Sequence, residues 1–141
     1  MKSLVIFDSS FGNTQKIAEI LAAELGTKAV KVADFNKKDL EGIEMLIVGS
    51  PINGWRPTPA ITDFLKTLQS DKLNGIKATA FDTRIKLFIH GDAKDKIASE
   101  LKNAGAEIIA SSQAFYVKGT NGPLFDGELE KAKDWAKKLK S

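Results

Sequence analysis

The sequence contains no cysteine, and His90 is its only histidine. Without cysteine the chain forms no disulfide and offers no thiolate as a nucleophile or as a ligand for zinc or an iron–sulfur cluster, which fits a reducing compartment. A single histidine also excludes a zinc site built from several histidines. The sequence cannot place His90 in a catalytic triad, so we expect it to have a structural or solvent-exposed role.

Long apolar runs are missing as well. No stretch approaches the roughly 20 residues that a membrane-spanning helix needs, and Met1 to Ser3 lead directly into a strand-like run without a signal peptide. These absences predict a cytoplasmic protein without membrane association. Of 141 residues, 43% are hydrophobic and 28% charged, which is ordinary for a folded domain, so we predict one domain over residues 1–141. We expect a monomer or a weak dimer.

Arginine is scarce, since only Arg56 and Arg84 among the 21 basic residues are arginines, and the formal net charge is +3. A basic chain can bind nucleic acid or an acidic protein. Solvated helix faces explain most of these lysines more simply, as in "KAKDWAKKLKS" at the end of the sequence. No basic cluster is interleaved with aromatic residues as in an RNA-binding sheet, so we predict no nucleic-acid partner.

Strand-like runs recur along the chain. Apolar or alternating composition indicates strands at 3–8, 28–33, 44–50, 76–82 and 106–117. The second of these stretches alternates and is expected to be the most exposed. The last one is expected to break at Ser111 and Ser112.

Helical patterns separate these runs. Apolar stripes predict helices that span Thr14 to Gly26, Thr58 to Gln69, Asp92 to Gly105 and Glu128 to Lys140. In the last helix, Leu129 and Trp135 share the inner face, so we expect Trp135 to be part of the core. Alternation of strands and helices predicts an α/β fold with a doubly wound, three-layer, five-stranded parallel sheet.

In such sheets, ligands bind outside the carboxyl ends of the strands, which here are followed by loops at 9–14, 51–57, 83–91 and 118–127. The first loop, "SSFGNT", opens a helix whose free N–H groups and positive dipole end attract anions. It has neither the lysine of a Walker A loop nor the spacing of a dinucleotide fingerprint. Two interpretations stay open, a cradle for a phosphate monoester and a polar start of a helix.

The second and third loops also carry candidate ligands. Trp55 lies in the turn-rich stretch "PINGWRP", where it is either a lid over a planar ligand or folded back on the domain. Asn53 and Gly54 are a strong turn signal. Arg84 follows a central strand and offers a planar donor fork to a ligand or a surface ion pair, while Asp82 can pair with it or accept from a ligand N–H.

Catalytic arrangements are otherwise missing from the sequence. There is no G-x-S-x-G nucleophile elbow. Asp8 and Asp82 both end strands, where two carboxylates could act as acid and base or hold Mg²⁺, but nothing else in the sequence supports this and we predict no metal site.

Together, the loops resemble those of the flavodoxins. "SSFGNT" resembles the phosphate loop of that family, "GSPINGWRPTPAITDFL" its second flavin loop and the following helix, and "TAFDTR" the strand that leads into the third loop. "LKNAGAEIIASSQAFYVKG" resembles the run from the fourth helix into the last strand. The resemblance covers the whole chain, and its length matches the short-chain form.

The resemblance implies a flavodoxin-like fold, FMN as cofactor and electron transport through the flavin semiquinone and hydroquinone to a redox partner protein. Such a flavoprotein needs no acid or base of its own, because the flavin carries the oxidoreductase chemistry. The implied cofactor-binding residues are Ser9, Ser10, Phe11, Gly12, Asn13, Thr14, Pro51, Ile52, Asn53, Gly54, Trp55, Phe81, Asp82, Thr83 and Arg84.

Three features depart from the family pattern. Phe11 stands where a hydroxyl is usual, Arg84 replaces an acidic and aromatic third loop, and the chain is basic where flavodoxins are typically acidic. An inward Arg84 would favour the reduced flavin anion. Alternative hypotheses are a flavodoxin-like module with weak or no FMN binding that acts in binding or regulation, and an FMN-dependent quinone reductase. A phosphorylated receiver domain is disfavoured, because the third strand ends in Gly49 and Ser50 without an aspartate.

Overall fold

The computed structural model describes residues 2–68, 72–87 and 91–140. His90 and Gln69, both named in the sequence predictions, lie outside the described residues. The strands are β1 Ser3–Phe7, β2 Ala29–Lys31, β3 Met45–Pro51, β4 Lys77–Ile85, β5 Glu107–Ile108 and β6 Gln113–Val117. The helices are α1 Asn13–Glu24, α2 Pro59–Lys66, α3 Lys94–Asn103 and α4 Glu128–Lys140, with short 3₁₀ turns at Val32–Asp34 and Lys37–Leu40.

The strands form one parallel sheet in the order β2-β1-β3-β4, and both β5 and β6 pair with β4 on its far side. The sheet thus has five positions, and the last is filled by two consecutive segments. Four residues, 109–112, lie opposite only Thr79 and Ala80. The Thr79 hydroxyl donates to the carbonyl of Ala110 at 3.0 Å across this gap. The predicted doubly wound sheet and the break in its last strand are confirmed.

Helices cover both faces of the sheet. Alternate residues of β1 point to opposite sides, with Leu4 and Ile6 in the core under α2 and α3 and Val5 and Phe7 in the core under α1 and α4. Trp135 belongs to the second core, as predicted, and packs edge-to-face on two phenylalanines. Because all the strands are parallel, their carboxyl ends lie at the same edge of the sheet, and the loops that follow them lie close together.

Three expectations about the elements were wrong. Residues 83–85 belong to β4 and not to a loop, because they pair with residues 115–117 of β6. Leu129 has the spacing of the inner face of α4, but it stands in the first turn, before the first buried position, and is 43% exposed. The second strand is also shorter than 28–33, since Val32–Asp34 forms a 3₁₀ turn.

The helix boundaries follow local chemistry. The Thr58 hydroxyl accepts from the N–H of Ile61 at the start of α2. A carboxylate oxygen of Asp92 accepts from the N–H groups of Asp95 and Lys96 at the start of α3. Within residues 2–68, 72–87 and 91–140, no helix combines the length and apolar character that crossing a membrane requires.

Candidate functional site

A cleft of about 520 Å³ opens at the carboxyl ends of β1, β3 and β4. The sheet order reverses between β1 and β3, and this is where open α/β sheets bind their ligands. Its lining includes twelve of the predicted site residues: Ser9, Ser10, Phe11, Asn13, Thr14, Pro51, Ile52, Asn53, Gly54, Trp55, Thr83 and Arg84. Five further lining residues were not anticipated: Ile85, Leu87, Gly91, Val117 and Thr120.

One end of the cleft is a cradle of hydrogen-bond donors at the start of α1. Gly12 has a φ of 89°, which turns the chain into the helix, and no side chain caps the helix at that position. The Ser9 hydroxyl accepts from the N–H of Gly12 at 3.0 Å and from that of Gln15 at 3.4 Å. Among the described residues, the N–H groups of Ser10, Phe11, Asn13 and Thr14 have no acceptor.

These donors favour the anion cradle over the plain polar helix start, because unpaired N–H groups at a helix N-terminus are completed by an anion or by water. Side chains brace the cradle. The hydroxyls of Thr14 and Thr83 share a 2.7 Å hydrogen bond, and the Asn13 amide donates to the carbonyl of Asn121 at 3.2 Å. Loop 118–127 therefore contacts the cradle through Asn121. Its position after a strand had placed it among the loops expected near the ligand.

Phe11 removes a hydroxyl from the cradle but leaves its backbone donor in place. Its side chain is 56% exposed and lines the cleft, so it is not part of the core. Phe11 thus adds an apolar wall beside the polar donors.

The other end of the cleft is bordered by a tight turn that presents Trp55. Asn53 and Arg56 exchange both backbone hydrogen bonds, at 2.7 and 3.3 Å, around Gly54 and Trp55. Both central residues have positive φ, 58° and 70°, which is the geometry of a type I′ turn. Trp55 is the only described non-glycine residue with positive φ, and its side chain is 60% exposed. The indole borders the cleft and is not folded back into the core.

Beneath this turn lies a buried network of charges. Asp82 is fully buried and Arg84 is 8% exposed. Arg84 donates from Nε and Nη2 to the two carboxylate oxygens of Asp82 at 2.9 and 2.5 Å, and from Nη2 to Asp92 at 3.1 Å. The pKa of Arg84 is raised above its usual range, chiefly by the hydrogen bond to Asp82. Arg84 forms a buried ion pair with Asp82, and not the surface ion pair that was one of its two interpretations.

This network also fixes the turn. The N–H of Asp92 and the ammonium of Lys96 both donate to the carbonyl of Trp55, at 3.1 and 3.3 Å. Gly91 packs so closely on the Trp55 backbone that a Cβ there would collide with it. Because two carboxylates face the one guanidinium, the expectation that Arg84 supplies free positive charge to a flavin is not supported by its hydrogen bonds.

Three predicted site residues do not line the cleft. Phe81 is fully buried, and its ring packs so closely on Gly49 that a Cβ at that glycine would collide with it. Asp82 serves the network and also accepts from the N–H groups of Ala93 and Lys94 at 3.3 and 3.0 Å. Gly12 contributes backbone alone.

Asp8 accepts from the N–H of Ser9, and no three Asp, Glu or His side chains in the described ranges cluster as metal ligands.

The residues present fit FMN. A phosphate monoester suits the neutral donors at the start of α1, and a planar ring suits the part of the cleft that Trp55 and Leu87 line. The cleft volume falls within the range of about 300–1,000 Å³ that is usual for sites of ligands of this size.

Comparison with known proteins supports the same assignment. Residues 4–103 match the sequence model of the flavodoxin domain. The chain belongs to the flavodoxin domain family. Family membership supports FMN binding and electron transfer as the general class of function, and flavodoxin sheets of this strand order hold FMN at the switch point between β1 and β3.

One relative matches nearly the whole chain and another about two thirds of it. An uncharacterized protein of Methanocaldococcus jannaschii is 30% identical over 154 residues, which cover 99% of this flavodoxin domain and 98% of that protein. Flavodoxin 1 of Salmonella typhimurium is 33% identical over 97 residues, covering 64% of this chain and 50% of its own. The crystal structure of oxidised flavodoxin 1 from Bacillus cereus has a TM-score of 0.84, 22% identity and 99% and 97% coverage of the two chains, and it shows the shared fold.

Three of the five lining residues that were missed have a common cause. Ile85 and Val117 end neighbouring strands in register, and Leu87 follows two residues after Ile85. Their apolar character was visible in the sequence, but their register was not. Only the pairing of β4 with β6 places them side by side in this flavodoxin domain.

Proposed function

We propose that the protein binds FMN in the cleft and carries electrons one at a time to a redox partner protein. The main support is the group of backbone N–H donors without an acceptor at the start of α1. These donors lie at one end of the cleft, and apolar and aromatic side chains line the other end. The resemblance and the family match supply the identity of the ligand.

Each part of the cleft has a distinct role in this proposal. The N–H groups of Ser10, Phe11, Asn13 and Thr14 bind the phosphate, and Trp55 with Leu87 encloses the ring and excludes water from it. When bound, FMN supplies one-electron redox chemistry. Asp82, Arg84 and Asp92 bind one another, so we assign none of these three side chains a role as proton donor to the ring.

The purified protein, freed of any bound flavin, is expected to quench the fluorescence of added FMN at a stoichiometry of one and to shift its visible absorption. Dithionite titration is then expected to show two separate one-electron steps. Absence of quenching would exclude both an electron carrier and an FMN-dependent reductase, and would leave a flavodoxin-like module without FMN. A single two-electron step with rapid oxidation of NADPH by a quinone would indicate the reductase.

Replacing Thr14 with alanine is expected to weaken FMN binding about tenfold, since the change removes a hydroxyl donor worth about 1.4 kcal/mol and loosens the hydrogen bond to Thr83. Riboflavin has no phosphate, so its affinity should stay unchanged. Isothermal titration calorimetry with both ligands measures the difference. Thr27→Ala is the matched control, because its hydroxyl donates to Ser3 away from the cleft. An equal loss for riboflavin would remove Thr14 from the phosphate end.

The single domain, the cytoplasmic location and the monomeric or weakly dimeric state stay predictions from the sequence.

A further inference from the structure

Beside the cleft, three lysines surround a small aromatic surface, which we call the lysine–aromatic patch: Lys86, Lys118 and Lys131 around Tyr116 and Phe125. The Lys86 ammonium lies 5.3 and 5.1 Å from the ring centroids of Tyr116 and Phe125. Lys118 lies 6.0 Å from Phe125, and Lys131 lies 4.9 Å from Tyr116. Cation–π attraction at these distances holds the ammonium groups at defined places on the surface.

The patch carries uncompensated positive charge. Lys131 pairs with Glu128 at 3.1 Å. Lys86 and Lys118 are exposed, and neither has a carboxylate within 4.0 Å in the part of the chain that the structure describes. Lys86 directly follows β4, Lys118 directly follows β6 and Lys131 lies in α4, so no local stretch of sequence reveals the cluster.

The patch adjoins the lining of the cleft along the chain, although none of its five residues lines the cleft itself. Lys86 stands between the lining residues Ile85 and Leu87, and Lys118 directly follows the lining residue Val117. Large apolar side chains are exposed at the mouth itself: Phe11, Trp55 and Leu87. An apolar centre bordered by charge is the usual composition of a protein docking surface.

Positive charge also lies on the other side of Trp55. A second groove shares Gly54 and Trp55 with the cleft and is lined by three cations, Arg56, Lys66 and Lys96. Asp95 and Glu100 line it too, so this side is less positive than the patch.

From this arrangement we propose that the redox partner is an acidic protein that docks over the mouth of the cleft, with its carboxylates on Lys86 and Lys118. The inference rests on the proposed function and names the charge class of its partner. Complementary charge raises the rate of encounter and orients the partner. A protein is favoured over single-stranded nucleic acid. Bases would have to stack on the ring faces of Tyr116 and Phe125, and lysine ammonium groups already lie over those faces.

The test compares the patch with a matched surface. The double variant Lys86→Glu/Lys118→Glu lowers the net charge by four. The control variant Lys37→Glu/Lys38→Glu lowers it by the same amount in the 3₁₀ turn after β2, at the opposite edge of the sheet. Stopped-flow spectroscopy follows oxidation of the reduced holoprotein by an acidic probe, cytochrome b5, and by a basic one, cytochrome c. We expect the patch variant to react about tenfold more slowly with cytochrome b5 at low salt, and the control to change far less.

High salt should remove the difference, since it screens surface charge. Equal slowing in both variants would overturn the proposal, because overall charge would then explain the effect. So would a wild-type protein whose rate with cytochrome c falls as salt is raised while its rate with cytochrome b5 does not, because attraction would then be to the basic probe.

A second arm works without flavin and separates the two proposals. Labelled polyglutamate is expected to bind the FMN-free protein and to lose affinity in the patch variant alone. Failure to bind FMN with this result intact would reject the proposed function and leave the acidic docking surface standing. Tighter patch-dependent binding of poly(U) than of polyglutamate would assign the surface to nucleic acid and overturn the acidic partner.

Discussion

Replacing Asp82 with alanine is expected to lower the free energy of unfolding by about 3–5 kcal/mol, the usual effect of removing one partner of a buried ion pair. Asp82 is fully buried and is the principal partner of the nearly buried Arg84. Its loss leaves a buried guanidinium that stays charged, because arginine is not deprotonated in proteins, and Asp92 remains as its carboxylate partner. It also removes the acceptor for two N–H groups at the start of α3.

Urea denaturation of the FMN-free protein at pH 7 measures this loss. Asp95→Ala is the control, because that carboxylate is mostly exposed and its ion pair with Lys94 is worth less than about 1 kcal/mol. The pKa of Asp95 is lowered, chiefly by the hydrogen bond from Ser112, so any stability it adds is present at neutral pH and disappears only as the pH falls into the acid range. A loss at Asp82 no larger than that at Asp95 would show that water compensates Arg84.

Replacing Trp55 with glycine is expected to weaken FMN binding about 10- to 100-fold without destabilising the fold. Stacking of a planar ring on an aromatic side chain is worth about 1–3 kcal/mol. The fold loses little, because the indole is largely exposed, and glycine relieves a left-handed backbone that costs other residues about 1–2 kcal/mol. Fluorescence titration and urea denaturation of the same sample give the two results.

Riboflavin should be weakened as much as FMN in this variant, because both carry the same ring. This is the opposite of the pattern expected for Thr14→Ala, so the two variants assign the two ends of the cleft independently. Trp55→Phe keeps an aromatic face and should retain affinity to within about threefold. Unchanged FMN affinity in Trp55→Gly would show that the indole does not contact the ring.

Much of the fold was predictable because apolar runs such as 3–8 and 44–50 must be buried on both sides, which defines a parallel sheet between helices. The end of β4 was not predictable in this way. Thr83 and Arg84 are polar residues at a position where apolar residues signal a strand, and they extend because β6 pairs beside both of them and β3 beside Thr83. Backbone pairing overrode side-chain preference there.

The site was predictable where it is local. The stretch from Ser9 to Thr14 forms the start of a helix from its own sequence, and the turn at Asn53 and Gly54 exposes Trp55 for the same reason. The role of Asp92 was only half visible, since capping α3 is local but binding Arg84 depends on tertiary structure. The lysine–aromatic patch was invisible, because its residues are separated by up to 45 positions, from Lys86 to Lys131.

The broken fifth position of the sheet has a consequence for self-association. A long, regular edge strand offers a ladder of free backbone groups onto which another chain can add a strand, the first step of β-aggregation. Here β5 has two residues, and four residues face two at the break. At the end of β6 the chain returns alongside the strand, where the N–H of Lys118 donates to the carbonyl of Pro123 and the N–H of Phe125 donates to that of Tyr116. The opposite edge, β2, has only three residues. Both edges are therefore poor templates, and closing the gap at 109–112 by deletion would create the continuous edge that the chain now avoids.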